Sequence, residues 1–98
     1  MTPHLLFCNN CFVYWVYIIK SKKNDSLYIG STSNLVRRLS EHNTGKSPST
    51  ARYMPWKFVY VEGYFLKEDA LYREHNLKHF GKVYAQLKRK IKNSLSAA

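Results

Sequence analysis

The stretch Tyr14-Trp15-Val16-Tyr17-Ile18-Ile19-Lys20-Ser21-Lys22-Lys23-Asn24-Asp25-Ser26-Leu27-Tyr28-Ile29-Gly30 decides the fold. Its first part belongs to an aromatic and β-branched run from Phe12 to Lys20. That run is apolar at both alternating sets of positions, the pattern of a strand covered on both faces in the middle of a sheet. Ser21 to Asp25 is polar and closes on Asn-Asp, a turn signal. Leu27 to Gly30 then reads as a second, shorter strand, so the stretch forms a β-hairpin. An even-numbered loop without a bulge puts Tyr17 and Tyr28 on one sheet face, whereas a one-residue bulge would separate them. The shared face is the expectation.

Working outward, Ser33 or Asn34 caps a helix that runs to about Asn43, with Leu35, Val36 and Leu39 facing inward. Gly45 is its stop. The segment 46–55, which contains Ser47-Pro48-Ser49-Thr50, reads as a polar loop. Lys57 to Phe65 alternates Phe58 and Tyr60 against Val59 and Val61, as a third strand does. Glu68 and Asp69 stand where a helix N-terminus welcomes negative charge. That helix should run to about Phe80 and end at Gly81, and a final helix spans roughly Val83 to Ser94. Residues 1–11 read as an N-terminal arm, 12–94 as one domain and 95–98 as a C-terminal tail. The order ββαβαα implies an α+β fold, a three-stranded antiparallel sheet flanked by helices.

Composition narrows the partners. The chain has 98 residues, enough for one domain with its own core, and 45% of them are apolar. Sixteen basic residues against six acidic ones give a net charge of +10, and the pI is near 9.8. Such an excess favours a polyanion, either nucleic acid or an anionic membrane. The longest apolar run, Phe12 to Ile19, is far short of the roughly 20 residues of a spanning helix. Met1-Thr2-Pro3-His4 lacks the charged start and cleavage site of a secretory signal. Cytoplasm is therefore the expected compartment. Cys8 and Cys11, with His4 upstream, make half a zinc site at most, because structural sites use four protein ligands. Two incidental thiols are the simpler account.

Four side-chain types then attract attention. Arg38 and His42 are one helical turn apart, beside the inward stripe of Leu35 and Leu39. Both could be solvated surface groups, but Arg38 next to an apolar face suits a directed phosphate contact. Glu74 lies between Ala70 and Leu77 on the buried face of its helix, where a carboxylate needs a cation or donors. A salt bridge to Arg38 or Arg73 and a hard-metal site are both open on periodicity alone. Tyr17 and Tyr28, like the other tyrosines and tryptophans, are more often core aromatics than catalysts. Beyond Glu74 the chain carries no acid, while Lys78, Lys82, Lys88, Arg89, Lys90 and Lys92 follow. That run reads as an electrostatic footprint for a phosphate backbone.

Taken together, five separated elements resemble the GIY-YIG nuclease domain, from about Phe12 to Lys92. They are Tyr14-Trp15-Val16-Tyr17-Ile18, Leu27-Tyr28-Ile29-Gly30-Ser31-Thr32, Asn34-Leu35-Val36-Arg37-Arg38-Leu39, Glu41-His42-Asn43 and Arg73-Glu74-His75-Asn76-Leu77-Lys78. The likeness is to the small stand-alone branch, similar to the N-terminal domain of the excinuclease C subunit. Val16 stands where the name-giving glycine would be, and the arm has no counterpart in the pattern.

The resemblance implies a metal-dependent endonuclease acting on nucleic acid, with DNA the expected substrate and DNA repair the setting. It implies one Mg²⁺ or Mn²⁺ ion held by Glu74, and Tyr17 as general base toward water. An unperturbed phenol titrates near 10, so Tyr17 would need a metal field or a neighbouring cation to lower its pKa. His42 would share a proton with Tyr17 or contact phosphate. Arg38 would stabilise phosphate charge, Tyr28 would orient phosphate or water, and Gly30 would let substrate approach the backbone closely. Lys78, Lys82, Lys88, Arg89 and Lys90 would bind the nucleic acid. A monomer is expected, and no protein partner or membrane is implied. The rival readings are a non-catalytic basic nucleic-acid-binding module and an aromatic-rich protein-interaction module. Neither needs Tyr17, Tyr28, Arg38 and Glu74 together.

Overall fold

The computed structural model describes residues 13–97. The arm 1–11, with Cys8 and Cys11, lies outside the described residues. The sheet contains β1 (Tyr14–Ser21), β2 (Leu27–Thr32) and β3 (Trp56–Tyr64) in the order β2-β1-β3, all antiparallel. This is the three-stranded antiparallel α+β arrangement anticipated from the strand pattern. β1 is central because both of its faces are apolar. Val16 and Ile18 point to one side and Tyr17 and Ile19 to the other, and all four are fully buried. Burying an aliphatic side chain of this size is worth roughly 1.5–3 kcal/mol, more than the ~1 kcal/mol of a helix cap. β1 is thus the energetic centre of the molecule.

The two faces are covered by different helices. Val16 and Ile18 join Ile29, Ala70, Leu77 and Leu87, which brings α3 (Lys67–His79) and α4 (Gly81–Lys90) onto one side. Tyr17 and Ile19 join Trp56, Phe58, Leu35 and Leu39 under α1 (Leu35–Asn43). Asn34 caps α1, its side chain accepting from the Arg37 amide at 3.0 Å. Gly45 ends α1 with φ +79°, and the Lys46 amide turns back to the Glu41 carbonyl at 3.1 Å. The hairpin register pairs Tyr17 with Gly30 and Ile19 with Tyr28, so the two tyrosines do share a face. Asp25 takes a left-handed φ of 63° at the turn, which Asp tolerates well.

Four local expectations give way. Val36 does not face inward: it is 82% exposed, because only Leu35 and Leu39 reach the sheet. The segment 46–55 is not all loop, since Pro48–Ala51 forms the short helix α2. Gly81 opens α4 instead of ending α3, and Phe80 is the shared cap. The last helix breaks at Ile91, and α5 (Lys92–Ala97) continues past the point where a tail was expected. The Leu95 carbonyl in α5 accepts from Lys20 Nζ at 2.7 Å. No helix among the described residues is long and apolar enough to cross a membrane.

The contact that fixes the hairpin's geometry is between Tyr17 and Gly30. A Cβ on Gly30 would collide with the Tyr17 hydroxyl and fall 2.5 Å from its Cζ. Gly30→Ala should therefore displace the Tyr17 ring and destabilise the protein by about 1–3 kcal/mol. Denaturant unfolding measures this, and a midpoint equal to the parent's would contradict the packing described.

Candidate active site

Tyr17 projects from the middle of β1 across the neighbouring strand, through the space that Gly30 leaves empty. The structure thus gives Gly30 a task that the sequence did not suggest: its missing side chain admits the phenol. The Tyr17 hydroxyl meets His42 Nε2 at 2.7 Å, and both side chains are fully buried. On the far side of the ring, Nδ1 lies 2.7 Å from Thr50 Oγ1. The Phe58 ring stands edge-on to Tyr17 at 5.8 Å, and the half-buried Tyr28 stands edge-on to His42 at 5.2 Å. His42 is therefore in contact with Tyr17 and has no open face for phosphate.

Burial dominates the electrostatics of this pair. It pushes the Tyr17 phenol up to about 12, while the nearby Arg38 guanidinium pulls the other way. Tyr28 and Glu74 add to the rise. Burial, with Arg38 second, pushes the His42 imidazole down to about 4. At neutral pH the pair is thus an uncharged phenol against an uncharged imidazole. The expectation of a phenol pKa lowered by a nearby cation is not met: Arg38 pulls in that direction, but desolvation outweighs it and the net shift is upward.

Around this buried pair lie two charged side chains of opposite sign. Arg38, on α1, bonds Glu41 through Nη1 at 2.8 Å and is half-buried. Glu74 comes from α3 on the other side of the sheet and meets the β2 edge, where Ser31 Oγ donates to its Oε1 at 2.5 Å. Its Oε2 takes Lys78 Nζ at 2.8 Å, and the side chain is 19% exposed. Neither Arg38 nor Arg73 pairs with it. Arg73 donates instead to Glu62 at 2.7 Å, and the Tyr60 and Tyr64 hydroxyls complete that carboxylate's shell. Lys78 also lies 5.7 Å from the Tyr28 ring centre, so it belongs to the site. Lys82, Lys88, Arg89 and Lys90 stand apart, exposed on α4.

Several side chains here escape sequence reasoning. Thr50, fully buried on α2, is the partner of His42. The Trp56 indole donates to the Thr50 carbonyl at 2.9 Å. Asn43 clamps the Trp56 backbone from both sides, at 3.0 and 2.6 Å. A signal for α2 is present: Ser47 followed by Pro48 is a helix N-terminus pattern, with the cap residue and then proline in the first turn. Ser31 has no signal beyond its place in the second strand.

Comparison with known proteins bears on the family and the fold. Residues 13–90 match the GIY-YIG catalytic domain. A UPF0213 protein of Staphylococcus haemolyticus is 40% identical, over 70% of this chain and 84% of its own length. The structure-specific endonuclease subunit slx1 of Talaromyces stipitatus is also 40% identical; the match covers 82% of this chain but only 24% of that protein. The solution NMR structure of a UPF0213 protein from Bacillus halodurans superimposes with a TM-score of 0.50 at 28% identity. That alignment covers 82% of this chain and 85% of the other.

Burial of His42 has a measurable consequence for stability. Unfolded, the imidazole titrates near 6.5; folded, near 4. Between those values the unfolded chain binds more protons, so stability falls as pH falls through the window. The loss from this group is on the order of 3 kcal/mol and is complete below the folded value. Urea titrations at pH 7 and 4.5 should show a larger drop for the parent than for His42→Gln. Equal drops would contradict the buried, neutral imidazole.

Proposed function

Because the chain belongs to the GIY-YIG catalytic-domain family, we propose that it is a metal-dependent endonuclease that hydrolyses phosphodiester bonds, with DNA as its substrate. The observation that carries this reading is the phenol–imidazole hydrogen bond at the β2 edge, flanked by Arg38 and Glu74. A structural histidine needs neither neighbour. The named relative among structure-specific endonucleases supports the same reaction class.

Glu74 is the residue that would hold a divalent cation. Its carboxylate is a hard oxygen donor at the solvent boundary, and its salt-bridge partner Lys78 is 39% exposed. No group of three or more His, Cys, Asp or Glu forms among the described residues. A single carboxylate completed by waters and phosphate oxygens is a familiar way to hold Mg²⁺. Such an ion would supply Lewis-acid stabilisation of charge on the scissile phosphate.

The chain's own residues do the rest. The Tyr17 hydroxyl is fully buried in the free protein, so substrate binding would have to open the hollow above it; Tyr17 would then take a proton from the attacking water while its own proton passes to His42 Nε2. The water oxygen forms the new bond to phosphorus, the ester P–O bond breaks, and the departing oxygen takes a proton from solvent. These proton transfers must be concerted. Burial raises the phenol and lowers the imidazole, so the neutral pair is the resting form and a standing phenolate–imidazolium pair is disfavoured. Arg38 keeps guanidinium donors beyond those bound to Glu41, and they neutralise the phosphate oxygens. Tyr28 orients the phosphate, and Lys78 with the α4 cations holds the backbone.

The same burial favours one rival, a non-catalytic nucleic-acid-binding module, since a sealed neutral pair is also a good core element. Cleavage separates the two. On nicked, branched and single-stranded DNA with Mg²⁺ or Mn²⁺, the parent should cut. Glu74→Ala should lose about 100-fold or more while binding persists, and Tyr17→Phe should lose roughly 10²–10⁴-fold. Variants that cut at the parent rate would end this assignment.

The basic surface has its own readout. Replacing Lys88, Arg89 and Lys90 with alanine should weaken binding to every sequence. It should also flatten the salt dependence by about 0.9 in slope for each phosphate that is no longer neutralised. An unchanged slope in a binding titration would remove α4 from the interface.

A further inference from the structure

We propose that Thr50 is the positioning residue that sets the tautomer of His42. Its hydroxyl holds the proton on Nδ1 and leaves Nε2 bare and aimed at the Tyr17 phenol. The inference rests on the nuclease reading for its purpose, but its geometry stands on the structure alone.

Every proton in the buried chain has one place to go. Thr50 Oγ1 has two partners, His42 Nδ1 at 2.7 Å and the Ser47 carbonyl at 3.3 Å. The carbonyl only accepts, so the hydroxyl that donates to it is free to accept from Nδ1–H. Nε2 is then an acceptor, and the Tyr17 hydroxyl donates to it. The opposite tautomer reverses both ends. Nε2–H would point at the Tyr17 oxygen, and the phenol proton, fully buried, would face no other acceptor among the described residues. An unmade hydrogen bond at such a depth is costly. Only the first arrangement satisfies all the groups, and only it lets His42 receive a proton from Tyr17.

The local fold is built to keep Thr50 in place. The Ser47 carbonyl that anchors the hydroxyl also takes the Thr50 and Ala51 amides, at 3.1 and 3.0 Å, as the first turn of α2. The Thr50 carbonyl takes the Trp56 indole, whose backbone is fixed by Asn43, the residue after His42. Histidine and threonine are thus tied to one frame through α1, α2 and the start of β3.

The experiment reads the ¹⁵N resonances of the His42 ring in the full chain, together with Mg²⁺-dependent cleavage of a branched DNA. The parent and Thr50→Ser should show Nδ1–H with bare Nε2. Thr50→Val, equal in shape but without the hydroxyl, should shift the population toward Nε2–H. Its kcat should fall about 10- to 100-fold with KM unchanged, and Thr50→Ser should restore most of it. Nε2–H in the parent overturns the proposal without any variant, so a Thr50→Val that fails to fold leaves it decidable. An unchanged tautomer in a folded Thr50→Val overturns it as well. A parent that cuts no nucleic acid but shows the tautomer change would remove the nuclease reading and leave Thr50's hold on His42 standing.

Discussion

The phenol of Tyr17 crosses a neighbouring strand at the one residue that has no side chain, and the rest of the site is arranged around that crossing. With any Cβ at position 30 the ring could not lie over β2, and its hydroxyl could not reach His42. The glycine of the hairpin is therefore tied to a side chain of its own protein. Its backbone conformation is not the reason for it. Tyr17 and Gly30 are register partners, so the crossing is a consequence of pairing. A slip of one residue would set a side chain under the ring and turn Tyr17 to the other face.

That arrangement divides the sheet's two faces by task. The face with Val16 and Ile18 is closed by α3 and α4 and is mostly hydrocarbon. The face with Tyr17 carries the hydrogen-bonded chain beneath α1 and α2. Glu74, on a helix that packs on the first face, is held at the β2 edge by Ser31, the register partner of Val16, and one turn on Lys78 reaches over that edge to the Tyr28 ring. Arg73, its neighbour in sequence, is drawn instead into the shell of Glu62 with two tyrosine hydroxyls. Glu74 is left with the Ser31 hydroxyl and an exposed lysine, the latter a kind of pair worth roughly 0–1 kcal/mol. A carboxylate so lightly held is available to another cation, and one buried with Arg73 would not be.

How much of this is legible in the sequence follows from the range of each interaction. The two-sided apolar pattern of β1, the turn at Asn24-Asp25 and the shared face of Tyr17 and Tyr28 are short-range properties, and they are readable. Val36 departs from its pattern because helical spacing defines a stripe without saying how wide a sheet lies beneath it. Thr50 is hidden inside a four-residue helix, where Ser and Pro signal a turn as readily as a helix start. The full burial of His42 cannot be read either. It depends on α2 folding over the end of α1, a contact between segments that no periodicity connects. Glu74 falls on the inner side of its helix as its spacing implies, yet its partners Ser31 and Lys78 follow only from where that helix crosses the sheet edge.

The charges around Tyr17 oppose one another, and that opposition gives the site its responsiveness. Burial raises the phenol, Arg38 lowers it, and the negative charge of Glu74 raises it further. The desolvation contribution is fixed by packing. The contribution of Glu74 is not, because it depends on whatever positive charge sits beside that carboxylate. Lys78 offsets it in part from an exposed position that solvent screens. Positive charge near Glu74 opposes that carboxylate's upward pull on Tyr17, which is the smallest of the influences on the phenol. His42, neutral and fixed, is the group positioned to take the Tyr17 proton. The burial that makes Tyr17 a poor base at rest is thus also what makes it sensitive to its surroundings, since the same charge in open water would be felt far less.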